Sequence, residues 1–324
     1  MEKRNTDIAI GLAGNPNVGK SAFFHQVTGI GVNISNYPGT TVEIAEGITR
    51  YKDQSVKVID LPGVYSVGAV AEDEKVAREV IMGEEVDAII NIVNATNLER
   101  NLYLTLQLLE LDIPVVIALN QYDAALEEGI KIDSDTLSEK LGVPVVPTIA
   151  TQGKNVSKAF EKAINSAKEK KKPESEIRFG DDLEKIIDSL SKSIQENLDP
   201  VPYKLSPRTL SIKLLEGDEE LIELIKRKQN GEKILEKAQE LAQIINEKHG
   251  EAAAFRTARE RHGIASLIAE DSSKYAEVEQ SWSERIGKWT TELKTGVPIL
   301  IGVFFGLLML LFYGGGFIEG VVDS

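Results

Sequence analysis

The segment from Gly14 to Ser21 has residue types and spacing that suit phosphate chemistry. It reads Gly-Asn-Pro-Asn-Val-Gly-Lys-Ser and fits the pattern G-x-x-x-x-G-K-[ST] at every fixed position. Glycines in such a loop let backbone N–H groups approach a β-phosphate, and the following helix adds the positive end of its dipole. Lys20 is then expected to contact the β- and γ-phosphates, and the Ser21 hydroxyl to bind Mg²⁺. The segment predicts a nucleoside triphosphate site, and the alternative is a chance glycine-rich turn.

Two further segments are predicted to face the γ-phosphate. Asp60 and Gly63 form a D-x-x-G motif after an apolar run. Asp60 is predicted to hold Mg²⁺ through water, and the Gly63 N–H to sense the γ-phosphate. Residues 36–43 are polar and turn-rich, which is typical of a switch segment that orders around γ-phosphate and Mg²⁺. Thr41 is the candidate for a second hydroxyl ligand of Mg²⁺, and Thr40 is the competing choice.

A motif further along the chain predicts the base. Asn120 and Asp123 form N-x-x-D after the apolar run at 114–119. A carboxylate accepts from the N1–H and the N2 amino group of guanine, a donor pair that adenine lacks, so adenine would leave a buried charge unpaired. The nucleotide is therefore predicted to be GTP or GDP. The N–H of Ala150 is a candidate donor to guanine O6, and an ordinary strand-to-helix loop is the alternative there.

The predicted nucleotide contacts come from these motifs and their neighbours. They are Asn15, Pro16, Asn17, Val18, Gly19, Lys20, Ser21, Ala22, Gly39, Thr40, Thr41, Asp60, Gly63, Asn120, Gln121, Asp123, Ala150 and Thr151. Lys20, Thr41 and Gly63 are also predicted to act in hydrolysis, in which charge on the transferring phosphoryl group is stabilised while water attacks in line.

The elements that must position these residues follow from the apolar patterns. Residues from about 5 to 168 alternate apolar strands with helical patterns such as 97–111, which predicts an α/β domain with a mostly parallel sheet flanked by helices. The ligand loops of such a sheet gather at the carboxyl ends of its strands. The charged stretch at 168–175 predicts a solvated linker, with a nucleic-acid patch as the alternative. Residues 181–270 carry apolar residues at three- and four-residue spacing, which predicts a helical bundle.

The carboxyl end is apolar enough to cross a membrane. No charged residue lies between Lys294 and Glu319, and residues 297–317 have about the length that one crossing requires. A buried soluble helix is the alternative. Trp282 and Trp289 are candidates for an interfacial helix before the crossing, with core packing of both rings as the alternative.

Charges around this apolar segment predict its orientation. The basic residues before it are Arg285, Lys288 and Lys294, and the acidic residues after it are Glu319 and Asp323. This asymmetry favours a cytoplasmic amino-terminal part. The predicted divisions are a P-loop GTPase domain at 1–168, a helical domain at 174–270, a juxtamembrane segment at 271–294 and a transmembrane helix at 295–318.

Composition narrows the function classes. A formal net charge of −14 over 324 residues argues against a nucleic-acid partner, which needs a basic footprint. The absence of cysteine excludes disulfides, thiol catalysis and Cys-ligated metals. The polar start of the chain argues against a secretory signal. The three histidines, His25, His249 and His262, lack metal-ligand spacing.

Beyond these general motifs, the chain resembles the FeoB family of ferrous iron transport GTPases over nearly its whole length. The segments that carry the resemblance are 14–17, 36–43, 60–66, 72–78 and 252–259. The resemblance implies a potassium-stimulated GTPase in the inner membrane, with Asn17 helping to hold K⁺. From the residues alone, Asn17 is equally a candidate capping residue.

The resemblance also implies a role for the helical part and a set of partners. The bundle would adjust nucleotide release and relay the switch state, and the chain would continue into a permease of several helices that admits Fe²⁺. Further copies of the chain and small accessory transport proteins are the other implied partners. Three residues depart from common GTPase patterns: Gln121 replaces Lys, Ile149 replaces Ser or Thr, and Val64 replaces the water-positioning Gln. The last of these predicts slow hydrolysis.

Two other functions fit parts of the sequence. A soluble ribosome- or tRNA-associated GTPase shares the phosphate loop, but it needs a basic RNA-facing domain and has no use for the apolar carboxyl end. A single-pass, membrane-tethered signalling GTPase fits both the motifs and the apolar segment. Further hydrophobic segments beyond Ser324 would distinguish a permease from such a tether.

Overall fold

The apolar runs that precede the motifs are strands of one seven-stranded sheet. The computed structural model describes residues 7–29, 32–68, 71–83, 85–174, 177–276 and 282–322. The strands of the sheet are β1 (Ile8–Gly14), β2 (Val32–Asn36), β3 (Glu43–Tyr51), β4 (Gln54–Asp60), β5 (Ala88–Asn94), β6 (Val115–Asn120) and β8 (Val145–Pro147), whereas β7 (Ile130–Ile132) lies outside it. Their order across the sheet is β2-β3-β4-β1-β5-β6-β8.

The sheet is mostly parallel, as predicted. Strand β1 pairs in parallel with β4 and β5, and β6 pairs in parallel with β5 and β8. Strands β2 and β3 form an antiparallel edge next to β4. The central strands are rich in Ile, Val and Ala and are buried throughout most of their length, because helices cover both faces.

The described residues of this part of the chain form six α-helices. They are α1 (Lys20–Thr28), α2 (Glu72–Met82), α3 (Leu98–Leu109), α4 (Tyr122–Glu127), α5 (Ser134–Leu141) and α6 (Val156–Glu169). The apolar residues of the pattern at 97–111 are buried in α3, and Leu104, Gln107 and Leu108 are buried as well. The sheet covers one side of α3, and a helix of the following region covers another.

Residues 181–270 are helical, which confirms the predicted helical region. The helices are α7 (Asp181–Asn197), α8 (Pro207–Leu215), α9 (Glu219–Lys226), α10 (Gly231–His249) and α11 (Ala253–Ser272). Helix α8 begins as a helix start signal predicts, since Ser206 accepts from the Thr209 N–H at 3.1 Å and Pro207 takes the first position.

After α11 the chain forms a three-residue strand that the sequence did not predict. This strand, β9 (Ser273–Tyr275), pairs with β7 in an antiparallel ladder. The Asp133 N–H donates to the Ser272 carbonyl at 2.8 Å beside it. Three residues are too few to carry a recognisable two-residue period, so only the fold reveals the pairing.

The chain divides into two compact units, Met1–Ala276 and Glu277–Ser324. Within the first unit, one apolar cluster lies between the sheet and helices α1 and α6. The other cluster extends from the opposite sheet face through α2 and α3 into α7–α11. The nucleotide motifs and the helical region therefore share a hydrophobic core.

In the second unit, the structure describes the helices α12 (Trp282–Thr291) and α13 (Leu293–Val322). Leu293–Leu311 is long and apolar enough to cross a membrane, and none of that stretch is buried. Residues 1–6, Ser175 and Asp323 lie outside the described residues, as do the side chains of Trp282, Arg285, Lys288, Phe317 and Glu319.

Candidate functional site

The predicted phosphate loop connects β1 to α1 and is shaped by two left-handed residues. Asn17 has φ 66° and Gly19 has φ 88°. A Cβ at Gly19 would lie 2.3 Å from the Asn120 Nδ2, and a Cβ at Gly14 would lie 2.6 Å from the Ile92 carbonyl oxygen. Only glycine fits at these two positions, so the loop backbone stays open toward a ligand. Asn15 lies within this loop with a buried Oδ1 that has no partner among the described residues.

Lys20 and Asp60 meet in a direct ion pair, although 40 residues separate them in the chain. Lys20 begins α1 and Asp60 ends β4, which lies beside β1 in the sheet. Burial raises the pKa of Asp60 above its usual range, and Lys20 opposes that shift. Two groups expected at the γ-phosphate and Mg²⁺ are therefore held side by side.

The D-x-x-G segment is fixed against the phosphate loop by its backbone. The Leu61 N–H donates to the Leu12 carbonyl at 3.1 Å, and the Val64 N–H donates to the Gly14 carbonyl at 3.2 Å. A Cβ at Gly63 would lie 3.3 Å from the backbone of Pro16, so the glycine allows this close approach. The Gly63 N–H is thus placed next to the loop that is predicted to hold phosphates.

The two threonines of the switch segment have different environments. The Thr40 N–H and hydroxyl both donate to the Tyr37 carbonyl, at 3.0 and 3.1 Å, in a turn whose Gly39 has φ 81°. Thr41 is exposed, and its N–H and hydroxyl donate to the Glu72 carboxylate at 3.4 and 3.1 Å. Thr40 therefore serves the local turn, which supports Thr41 as the predicted Mg²⁺ ligand.

Asn120 connects the base motif to the phosphate loop. Its Nδ2 donates to the Val18 carbonyl at 2.8 Å. Its Oδ1 accepts from the Ala150 N–H at 2.8 Å and from the Thr148 hydroxyl at 3.4 Å. The Ala150 N–H, predicted to meet guanine O6, is thus directed to Asn120 in this structure. Thr151 follows Ala150 on a short 3₁₀ helix and is exposed.

The other two residues of the base motif lie at the start of α4. Gln121, at the position where many GTPases have Lys, has φ 58°. Its Nε2 donates to the Asn17 carbonyl at 3.3 Å, so the side chain lies over the phosphate loop. Asp123 lies in the first turn of α4 and is half-buried. Among the described residues, none donates a hydrogen bond to its side chain, which leaves the carboxylate available to a base.

Ser21 and Ala22 occupy the first turn of α1, with Ser21 exposed beside Lys20. The hydroxyls of Ser21 and Thr41 and the carboxylate of Asp60 are oxygen donors of the kind that Mg²⁺ prefers. For K⁺, Asn17 is exposed and offers a side-chain oxygen, and Asn15, two residues earlier in the loop, has a buried Oδ1 without a partner among the described residues. The donor sets of the predicted metal residues therefore fit both ions.

The motifs do not indicate the side-chain contacts of α2. The acidic run 72–74 forms the first turn of this helix, where Glu72 accepts from the Thr41 hydroxyl at 3.1 Å and Glu74 accepts from the Ser66 hydroxyl at 2.6 Å. Arg78 on the same helix is buried and forms an ion pair with Asp218 at 2.7 Å. The charge of Arg78 among the buried positions of α2 indicates that it needs an ion-pair partner. The partners of the acidic run lie on other segments of the chain, so no local pattern indicates them.

Gln107 is a further residue that the motifs did not indicate. This buried side chain on α3 accepts from the Val67 N–H at 2.8 Å and so fixes the end of the D-x-x-G segment. Among the histidines, His249 lies 2.6 Å from the Asp182 carboxylate, and His262 stacks on Tyr103. The described residues contain no group of three or more His, Cys, Asp or Glu side chains that could hold a metal ion.

A phosphate loop after the first strand, flanked by D-x-x-G and crossed by the asparagine of N-x-x-D, is the arrangement of P-loop GTPases, and this chain has the fold of that class. A sequence profile for "Ferrous iron transport protein B" matches residues 8–163, and one for the FeoB cytosolic helical domain matches residues 179–274. The chain belongs to the FeoB family.

Individual relatives agree with this assignment. The Fe(2+) transporter FeoB of Escherichia coli K12 is 35% identical over 321 residues, which cover 98% of this chain and 40% of the relative. A fusion of Fe(2+) transport protein A with FeoB from Porphyromonas gingivalis is 33% identical over 97% of this chain and 37% of its own length. The chain thus spans about two fifths of the length of these curated relatives.

Solved structures extend the similarity to the fold. A GDP-bound mutant of the S. thermophilus FeoB G-domain is 34% identical, with a TM-score of 0.75 over 82% of this chain and 100% of its own. The S. thermophilus protein NFeoB bound to GDP·AlF₄⁻ and K⁺ is 34% identical, with a TM-score of 0.70 over 81% of this chain and 99% of its own. The cytosolic domain of the T. maritima FeoB iron transporter in apo form is 30% identical, with a TM-score of 0.70 over 82% of this chain and 99% of its own.

Proposed function

We propose that this chain binds and slowly hydrolyses GTP and that its nucleotide state controls Fe²⁺ entry through membrane helices. The observation that carries the nucleotide part is the Lys20–Asp60 ion pair, because it joins two motifs that were assigned independently to the γ-phosphate and its metal. The names of the curated relatives support the transport part.

Residues of the phosphate loop would bind and orient the nucleotide. Backbone N–H groups from Asn15 to Ala22 would surround the β-phosphate, and Lys20 would move from Asp60 to the β- and γ-phosphates. The Gly63 N–H would donate to the γ-phosphate. Asp123 would accept from guanine, and Asn120 would keep the base loop at a fixed distance from the phosphate loop through Val18.

Ser21, Thr41 and Asp60 would hold Mg²⁺, and Asn17 would help to hold K⁺, in agreement with the K⁺ named with the S. thermophilus relative. When bound, these cations would offset negative charge on the phosphate oxygens as the γ-phosphoryl group is transferred. Val64 is buried and apolar, and its N–H is occupied by Gly14, so it cannot orient water as a Gln would. This supports a slow intrinsic rate with stimulation by K⁺.

The proposed location is the inner membrane, with the GTPase and helical parts in the cytoplasm. Leu293–Leu311 supports this location, since its length and exposed apolar surface suit a crossing. Remaining permease helices would provide the ion path, because one helix cannot enclose one. Further copies of the chain and small accessory transport proteins are proposed partners. The alternative of a soluble ribosome- or tRNA-associated GTPase would leave the apolar stretch Leu293–Leu311 unexplained. The alternative of a membrane-tethered signalling GTPase differs from the proposal in having no permease helices.

Lys20→Ala tests the nucleotide site directly. Calorimetry with GTP and Mg²⁺ is expected to give binding for the natural chain and none for the variant, because the principal positive charge at the phosphates is removed. Lys52→Ala, at an exposed lysine, is the matched control and should bind GTP normally. Equal binding by both variants, with unchanged thermal unfolding, would mean that the phosphates lie elsewhere. The proposed stimulation by K⁺ is tested by comparing the rate of phosphate release in KCl with the rate in NaCl.

A further inference from the structure

Tyr122 lies inside the N-x-x-D motif and links that motif to β7. It is the first residue of α4 and directly precedes Asp123. Its N–H donates to the Thr148 carbonyl at 3.4 Å, two residues before Ala150 of the base loop. Its hydroxyl donates to the Ile132 carbonyl at 3.0 Å. The half-buried ring packs against the apolar cluster that extends into α7–α11. One residue therefore joins the base motif to a strand that lies outside the seven-stranded sheet.

The carbonyl that accepts from this hydroxyl lies on the edge of β7 that faces away from β9. The Asp133 N–H and the Gly129 carbonyl each bond at 2.8 Å to a residue that flanks β9. Backbone polar groups of successive residues point to opposite edges of a strand, so residues 129, 131 and 133 face β9 and Ile132 faces the other edge. Ile132 is 2% exposed, and a buried carbonyl without a donor costs free energy. The Tyr122 hydroxyl thus satisfies this carbonyl without competing with β9.

Helix α4 and strand β7 are attached to each other at two points. Only Glu128 and Gly129 connect the end of α4 to β7, and the Gly129 N–H donates back to the Leu126 carbonyl at 3.1 Å. The Tyr122 hydroxyl makes the second attachment at the opposite end of the helix. The first turn of α4, which carries Asp123, therefore cannot move relative to β7 without breaking the hydrogen bond of Tyr122.

We infer that Tyr122 is a positioning residue through which a guanine nucleotide bound at Asp123 stabilises the ladder between β7 and β9. The inference rests on the proposed nucleotide site and adds a form of regulation to it. A base held by Asp123 would fix the first turn of α4, and the Tyr122 hydroxyl would then hold β7 in the position that β9 needs. Strand β9 is the element after which the chain continues to α12 and α13, so its attachment would respond to nucleotide. By linkage, detaching β9 must weaken nucleotide binding by the same factor.

Hydrogen exchange of the full chain in phosphatidylcholine nanodiscs, followed by mass spectrometry with and without GDP and Mg²⁺, tests this coupling. GDP is expected to slow exchange in peptides that contain residues 131–133 and 274–276 at least about threefold, because ladder amides exchange when the ladder opens. Unchanged exchange in a chain that binds GDP by calorimetry would overturn the coupling and leave the proposed function intact. Absence of GDP binding would overturn both.

A matched pair of tyrosine variants isolates the hydroxyl. Tyr122→Phe keeps the ring but removes the hydrogen bond, so it should lose the GDP-dependent slowing at 274–276 and bind GDP about two- to fivefold more weakly. Tyr275→Phe makes the same change at an exposed residue of β9 and should retain both properties. A merely structural role of Tyr122 would raise exchange equally with and without GDP. A GDP effect that persists in Tyr122→Phe would therefore contradict the inference.

The reverse direction is tested from β9. Lys274→Pro removes a backbone N–H from the ladder, because proline cannot donate. GDP affinity should fall about two- to fivefold when this change is made in the natural chain, and it should not fall further in the Tyr122→Phe background. The two changes and their combination form a double-mutant cycle. Losses that add independently would show that the ladder and the base site are not linked through Tyr122.

Discussion

At the scale of single residues, Asn120 determines how the two halves of the site are spaced. Its amide joins the Val18 carbonyl to the Ala150 N–H, and a Cβ at Gly19 would collide with it. The close contact explains why glycine is required at position 19. It also leaves Asp123 as the group that is free to read the base, since its carboxylate has no donor among the described residues.

Asp123→Asn should reverse the base preference. An amide at this position donates where the carboxylate accepts, so it mismatches guanine and matches xanthine. The affinity for GTP is expected to fall by about a hundredfold, and the affinity for xanthosine triphosphate to rise. Calorimetric titration with both nucleotides measures the change. Asp135→Asn, at an exposed residue of α5, serves as control, and a variant at Asp123 that still prefers GTP would take this residue out of the base site.

The motifs themselves could be predicted because each is local. The glycines, Lys20 and Ser21 lie within eight residues, and their chemistry depends on spacing alone. The partner of the Ala150 N–H could not be predicted in this way. It depends on how β6 and β8 align, and the three-residue β8 gives little indication of its register.

At the scale of elements, α2 contacts three separate segments. Its first turn holds Thr41 through Glu72 and Ser66 through Glu74. Its buried Arg78 pairs with Asp218, which also caps the start of α9 by accepting from the Leu221 N–H at 3.1 Å. A single helix therefore contacts both the switch threonine and the helical region.

Glu72→Ala should strengthen the Mg²⁺-dependent binding of a non-hydrolysable GTP analogue by about three- to tenfold. The reason is that Thr41 must leave the Glu72 carboxylate before it can reach the metal, and that hydrogen bond to a charged group opposes binding. Calorimetry with and without Mg²⁺ gives the comparison. Asp73→Ala removes the same charge from the same helical turn and is the matched control. Weaker binding by the Glu72 variant would show that this glutamate supports the bound arrangement.

The sequence predicted α2 as a helix but not its contacts. Thr41 and Glu72 are 31 residues apart, and Arg78 and Asp218 are 140 apart, so no local period links them. Arg78 is buried together with the apolar residues of α2. Its partner became apparent only from the packing of α9 against the rest of the fold.

At the scale of the whole molecule, a buried charge network joins the helical region to the sheet-bearing part. Arg261 on α11 is completely buried and binds Glu110 after α3 at 2.9 Å and Glu216 after α8 at 2.8 Å. Burial raises the pKa of Glu216, but Lys213 and Arg261 outweigh it and lower the value to about 2. Stability from this carboxylate is therefore present above its ordinary pKa of 4.5 and is lost as pH falls toward 2.

Glu216→Gln should lower the free energy of unfolding at neutral pH by about 3 kcal/mol, because the ionised carboxylate no longer pairs with Arg261 and Lys213. The difference from the natural chain should shrink as the pH falls from about 4.5 toward 2, where the natural Glu216 takes up a proton as well. Urea unfolding followed by circular dichroism over this pH range measures it. Glu219→Gln, at an exposed carboxylate, should show no such convergence. A pH-independent difference at Glu216 would contradict the ion-pair explanation.

The short pairing of β7 with β9 gives the helical region a second attachment. Helices α7–α11 leave the sheet-bearing part after α6 and return to it at β9, where the Ala276 N–H donates to the Gly129 carbonyl at 2.8 Å. The helical region is thus attached to the sheet-bearing part at both of its ends, so it cannot rotate about a single hinge. Tension applied along the chain beyond Ala276 would therefore be shared between α11, which precedes β9 in the chain, and Gly129, which lies two residues after the end of the helix that carries Asp123. Mechanical load from the carboxyl side would thus reach the neighbourhood of the base site as well as the bundle.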